Sequence, residues 1–197
     1  MTTRKTLLAL SALVLAAASA PAVVSASSVV PYTRMAAADL APDGYAHHKV
    51  LRIDQDFHPN DDYEIAIDAW VADGSPDALA AVRMWWMDTA DADARSPFGK
   101  GVRRHIDIDY DQRDAGWDIR IKQGRKKAYV FAVDLEDGKA VASADVRTKG
   151  GLVEDCQVTR SRLVAKKVLG IPTGLRRIDV ACTDADGNEH RGSVASR

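Results

Sequence analysis

The sequence predicts a mainly β protein, an antiparallel β-sandwich with at most one short helix. Three observations carry that prediction. Apolar and polar residues alternate with period two in segment after segment, the pattern of a strand with one buried face. Turn signals built on Asp-Gly or a lone Gly separate these segments, at the spacing of about eight to twelve residues typical of all-β domains. Only SRLVAKKVLG, near the C-terminus, carries a spacing that a helix would also satisfy.

The chain opens MTTRKTLLALSALVLAAASAPAVVSASS. Arg4 and Lys5 form a basic start, Leu7 to Ala18 an apolar run, and Val24-Ser25-Ala26 a small-residue cleavage pattern, so residues 1–26 read as a signal peptide. That run is short for a bilayer span, and no later stretch is long enough to be one. The expectation is an exported protein, periplasmic or extracellular, with no transmembrane segment in a mature chain of about 171 residues. Residues 27–45 mix Ser, Ala, Pro and Gly without period and predict a flexible leader. Residues 46–197 are then of a size for a single β-sandwich-like domain.

The segment HHKVLRIDQDFHPNDD comes next. Imidazole and carboxylate ligate Zn²⁺ and Cu²⁺, which makes His47, His48, Asp56 and His58 a candidate metal set. The spacing fits no zinc signature, and adjacent His47 and His48 face opposite ways on a strand, so a polar solvated segment is the competing reading. In YEIAIDAWVADG, Tyr63, Ile65, Ile67, Ala69 and Val71 alternate with Glu64, Ala66, Asp68 and Trp70. In AVRMWWMD, Val82, Met84 and Trp86 share one face, leaving Trp85 and Met87 on the other. That pair is a candidate binding surface unless a second layer covers it.

RHIDIDYD and WDIRIK read as a hairpin joined by QRDAG, with Gly116 in a loop longer than two residues. Asp107, Asp109 and Asp111 could hold Ca²⁺. The favoured reading is cross-strand ion pairing with Arg120 and Lys122. In KKAYVFAVDL, Tyr129, Phe131, Val133 and Leu135 share a face. Asp73-Gly74, Asp137-Gly138 and Asp186-Gly187 suit type I′ hairpin turns. SRLVAKKVLG is a strand, or a short helix stopped by Gly170.

EIAIDAWVADGSPDALAAVRMWW, followed by GWDIRIKQGRKKAYVFAVDLEDGKAV, resembles bacterial immunoglobulin-like or fibronectin-like sandwich modules, as does the closing VACTDADGNE. The resemblance spans roughly residues 62–148 and 175–195 and implies a fold, not a function.

Cys156 and Cys182 are the only cysteines. Two thiols in an exported chain pair as a disulfide; they lack C-x-x-C spacing and are too few for a closed zinc site. Residues 27–94 carry thirteen acidic and four basic side chains, a net of −9, whereas residues 95–197 carry fifteen and twenty-one, a net of +6. Attraction between the halves is the favoured reading of that asymmetry. The basic residues Lys126, Lys127, Arg160 and Arg162, within a wider cluster, offer a surface for an anionic envelope polymer or another envelope protein. Nothing points to nucleic acid, and no motif asks for a cofactor. The function expected is a non-catalytic binding or structural module of the bacterial cell envelope. The alternatives are a periplasmic metal-binding protein, or a hydrolase using His105 or the His47–Asp62 segment.

Overall fold

The computed structural model describes residues 35–36, 44–58, 62–72, 79–103, 105–123 and 127–196. The expected signal peptide, most of the leader, Asp61, Asp73-Gly74, Arg125 and Lys126 lie outside the described residues. The strands are β1 (Met35–Ala36), β2 (Tyr45–Gln55), β3 (Tyr63–Ala72), β4 (Leu79–Asp88), β5 (Asp91–Ser96), β6 (Asp107–Gln112), β7 (Trp117–Gln123), β8 (Lys127–Glu136), β9 (Lys139–Thr148), β10 (Gly151–Val168), β11 (Ile171–Thr183) and β12 (Glu189–Val194). One helical turn, α1 (Lys100–Arg103), stands between β5 and β6. The protein is mainly β, as its alternation requires.

The strands form one sheet in the order β1-β5-β4-β3-β2-β10-β11-β12-β9-β8-β7-β6. It is mixed rather than purely antiparallel. Ser161, Arg162 and Leu163 of β10 run parallel to Ile53, Asp54 and Gln55 of β2, and Ser161 Oγ donates to the Arg52 carbonyl at 3.0 Å. The bend in β10 permits this. Its first residues pair with β9, the ladder shifts between Val153 and Cys156, and Asp155 takes φ 50°. Such a bulge turns a strand sharply. Past the bend, β2 takes the edge that β9 held. Because β9 also pairs with β12 and β12 with β11, the hydrogen bonding of β9 to β12 closes on itself.

The turns obey local chemistry where it is strong. Asp137 and Gly138 sit at φ 49° and 73° between β8 and β9, the type I′ hairpin that Asp-Gly favours. Gly116, at φ 83°, ends the longer β6–β7 loop, and its missing Cβ leaves room for the Val133 carbonyl. Asp186-Gly187 departs from expectation. It sits in a five-residue loop organised by Asp184, whose carboxylate accepts from the backbone N–H groups of Asp186 at 3.0 Å and Asn188 at 2.8 Å. The ambiguous SRLVAKKVLG is strand: Ser161, Leu163 and Ala165 are buried while Arg160 and Arg162 are exposed.

One apolar cluster collects Ile53, Ile65, Ile67, Trp86, Trp117, Ile119, Phe131, Val146, Leu163, Ile178 and Val180 from strands across the sheet. Cys156 and Cys182 are bonded within it, their Cα atoms 5.5 Å apart. β3 is buried on both faces. On its second face Arg95 donates to Asp68 through Nε at 2.7 Å and Nη2 at 3.2 Å, and both side chains are 1% exposed.

Candidate functional site

β10, β11, β12 and β9 place five cations around one concave face. Between the flanks the outward residues of the two middle strands include two small ones, Ala181 on β11 and Ser193 on β12, and the charged Asp179, Glu189 and Arg191. On one flank stand Arg160 and Arg162 of β10, opposite Ala181 and Asp179. On the other are Arg147 of β9, opposite Ser193, and Lys149 in the turn after it. Arg191 rises from β12 beside Ala181. These side chains surround an open cavity of about 870 Å³. β12 and β9 cross closely at its edge: a Cβ on Gly192 would lie 2.2 Å from the Arg147 carbonyl oxygen.

The groove is lined by five cations against two carboxylates, Asp179 and Glu189. Asp179 is engaged by Arg177 at 2.7 Å, and Arg162 has only a long, exposed contact with Asp54 at 3.6 Å. Among the described residues, Arg147, Lys149, Arg160 and Arg191 have no carboxylate within ion-pair distance. At one end His190 Nε2 lies 2.7 Å from Asp184 Oδ2; that contact, with the Asn188 N–H, brings the Asp184 carboxyl down to about 2. Guanidinium groups recognise phosphate and carboxylate through paired N–H donors. Neighbouring strands are about 4.8 Å apart, so cations on β10 and β9 flank a strip roughly 14 Å wide. That strip suits several anionic groups in a row better than one small ion.

Comparison with protein-family models, with curated proteins and with solved structures finds no match to this chain. The groove is therefore characterised by its own geometry and charge.

The candidate metal residues go to separate places. His47 Nε2 is 3.1 Å from Asp68 Oδ1, at ion-pair distance but off the hydrogen-bond line, and its ring packs on Trp70. His48 is held below the usual imidazole range by burial and by neighbouring His47. Asp56 accepts the Ala165 N–H at 2.6 Å and lies 3.5 Å from Lys167 Nζ. His58 stacks against Tyr63 and Trp86. Among the described residues no three such ligands converge. His105 packs near Phe57, with no carboxylate at ion-pair distance among the described residues.

Trp85 and Met87 correct an expectation. They are 6% and 3% exposed, so they present no surface. Arg83 lies over the Trp70 and Trp85 rings at 6.0 and 5.9 Å, and on the same face Arg95, opposite Met87, is itself buried and paired with Asp68. Aliphatic stems of arginine shield aromatic rings while the charge finds a partner. The Asp ladder behaves as the cross-strand reading holds. Arg120 binds Asp111, and Asp109 at 3.3 Å, while Lys122 binds Asp109; the Lys122 contact leads in holding Asp109 below the ordinary carboxylate range.

The basic cluster is therefore divided. Lys122 belongs to the Asp ladder, Lys127 is exposed at the start of β8, and Arg160 and Arg162 are in the groove. Sequence reasoning missed Arg147, Lys149 and Arg191. Arg191 comes into line with Arg160 through Ala181 by the successive β10–β11–β12 pairing, whereas only the closure of β9 onto β12 brings Arg147 and Lys149 to the same face.

Proposed function

We propose that this protein is an exported, non-catalytic module of the bacterial cell envelope that binds an anionic polymer along the groove of Arg147, Lys149, Arg160, Arg162 and Arg191. The observation that carries this reading is the set of four cations that, among the described residues, have no carboxylate at ion-pair distance, around a cavity whose lining holds five cations and two carboxylates. The signal-peptide pattern at the N-terminus and the buried disulfide support export, since such bonds persist in oxidising compartments. Mixed halves of opposite charge also support a binding role for this face. Asp54, Asp56 and Asp68 of the acidic half engage Arg162, Lys167 and Arg95, and the groove keeps cations beyond those the fold uses.

The test is sedimentation with isolated cell envelope over a salt series. Binding should weaken steadily as salt rises, since surface charges are screened. Arg160→Glu with Arg162→Glu should reduce it at least about tenfold without moving the melting temperature, because exposed charge changes seldom alter stability. Salt-insensitive binding, or full binding by the double variant, would remove this reading.

A further inference from the structure

The far end of the β10–β11 hairpin carries a second surface that the groove does not use. β2 accompanies β10 only to Leu163, and β12 pairs β11 only from Asp179 onward. Ala165 is the last buried residue of β10. Gly174, opposite Lys166, is still buried against the Gln123 side chain; past that pair the two strands run on toward solvent, with Lys167 opposite Pro172 and Val168 opposite Ile171. At a rise of about 3.3 Å per residue, Leu169 stands roughly 13 Å along the strand from Ala165. The tip is wholly aliphatic and in water: Val168 is 52% exposed, Leu169 97% and Ile171 67%.

The turn is unusual in its chemistry. Leu169 and Gly170 sit at φ 50° and 81°, a two-residue turn whose first position normally falls to Asn, Asp or Gly. A leucine there is disfavoured by its Cβ and makes no internal contact in return. Behind the tip lie Lys166, Lys167 and Arg176, all exposed. Lys167 is 3.5 Å from Asp56; Lys166 and Arg176 have no carboxylate at ion-pair distance among the described residues.

We infer that the Val168–Ile171 tip inserts into the surface of a lipid bilayer bearing anionic head groups, with Lys166, Lys167 and Arg176 on the head groups. Interfacial segments bury apolar side chains about 5–10 Å deep with basic residues at the rim, and a ribbon of this reach matches that depth. A protein partner fits less well. The tip is convex and has no aromatic anchor, and three side chains supply far less than the roughly 800 Å² per partner of a stable complex. This surface lies six residues along β10 from Arg162, roughly 20 Å, and does not depend on the groove's ligand.

The test uses the full chain and vesicles of phosphatidylcholine with and without phosphatidylglycerol. Leu169→Asn keeps a residue that tolerates the turn's backbone, and Ile171→Thr keeps a β-branched strand residue. Every variant carries the same N-terminus, so the difference between them reads the tip. Wild type should co-sediment only with the anionic vesicles, and each variant should bind at least about tenfold more weakly with unchanged melting. A tryptophan placed by Leu169→Trp should be quenched by brominated acyl chains, and that quenching should survive Arg160→Glu with Arg162→Glu, which separates this surface from the groove. Equal vesicle binding by wild type and the tip variants, or no quenching, would overturn the inference. So would a concentration-dependent dimer that Leu169→Asn dissolves, which would assign the tip to a second copy of the chain.

Discussion

At the scale of single residues, Asp68 is the point on which the acidic half turns. Its carboxylate is buried on β3, faces Arg95 through two hydrogen bonds, and has His47 beside it. Burial acts to raise its carboxyl, but His47 and Arg95 outweigh that, and the net displacement is downward. A carboxylate whose folded value lies below its unfolded one stabilises the fold above the unfolded value, about 4, and loses that contribution as pH falls. Urea midpoints measured from neutral pH downward should decline through this region in the wild type. Asp68→Asn should lose the part of that decline due to Asp68. At neutral pH the same substitution should cost about 3 kcal/mol, because it leaves the Arg95 guanidinium buried without its counterion. A urea midpoint at pH 7 equal to that of the wild type would show that Arg95 finds another partner.

At the scale of elements, β10 is the member on which the others depend. Its bend at Asp155 lets it serve β9, β2 and β11 in turn, and the bond from Cys156 to Cys182, 26 residues on, ties the bent half to β11. Replacing both cysteines by serine should lower unfolding free energy by about 3–4 kcal/mol on the chain-entropy account, measured in urea against the oxidised protein. Gly192→Ala tests the other closure. A Cβ there meets the Arg147 carbonyl and the Val146 side chain at 2.2 and 2.8 Å, so β12 must move away from β9. The expected loss is about 1–3 kcal/mol. Envelope binding should fall with it, because Arg147 and Arg191 lose their register; a variant of wild-type stability and binding would show that the crossing is slack.

At the scale of the whole molecule, what the sequence made legible was local. Period-two patterns gave β3, β7 and β8; cysteine parity gave the disulfide; and Asp137-Gly138 gave its hairpin, because each rests on residues close in the chain or on composition. The parallel pairing of Ser161 with Ile53 was not legible, since nothing in either segment marks a partner so distant. The same holds for the groove. Arg160 alone reads as one cation on a strand, and its company depends on β12 pairing beside β11 and on β9 closing against β12. Whether Trp85 and Met87 were exposed or covered stayed open in the sequence, because alternation puts them on one face without showing that this face, with buried Arg95 and Asp68, is also packed. A fold assembled from such distant pairings should refold slowly, on the millisecond-to-second scale of high-contact-order β proteins. Stopped-flow tryptophan fluorescence on the oxidised protein measures it, and a microsecond phase carrying the full amplitude would contradict the topology.

The eighteen residues of β10 also set what changes of length this chain can tolerate. Loss or gain of one codon between Val158 and Leu163 would exchange the strand's faces, driving guanidinium groups among Ile178 and Val180 and turning Leu163 to water. The five-residue loop headed by Asp184 has no such parity. In a library of single-residue insertions and deletions scored for folded protein, the β10 interval should be blank and the loop after Asp184 populated.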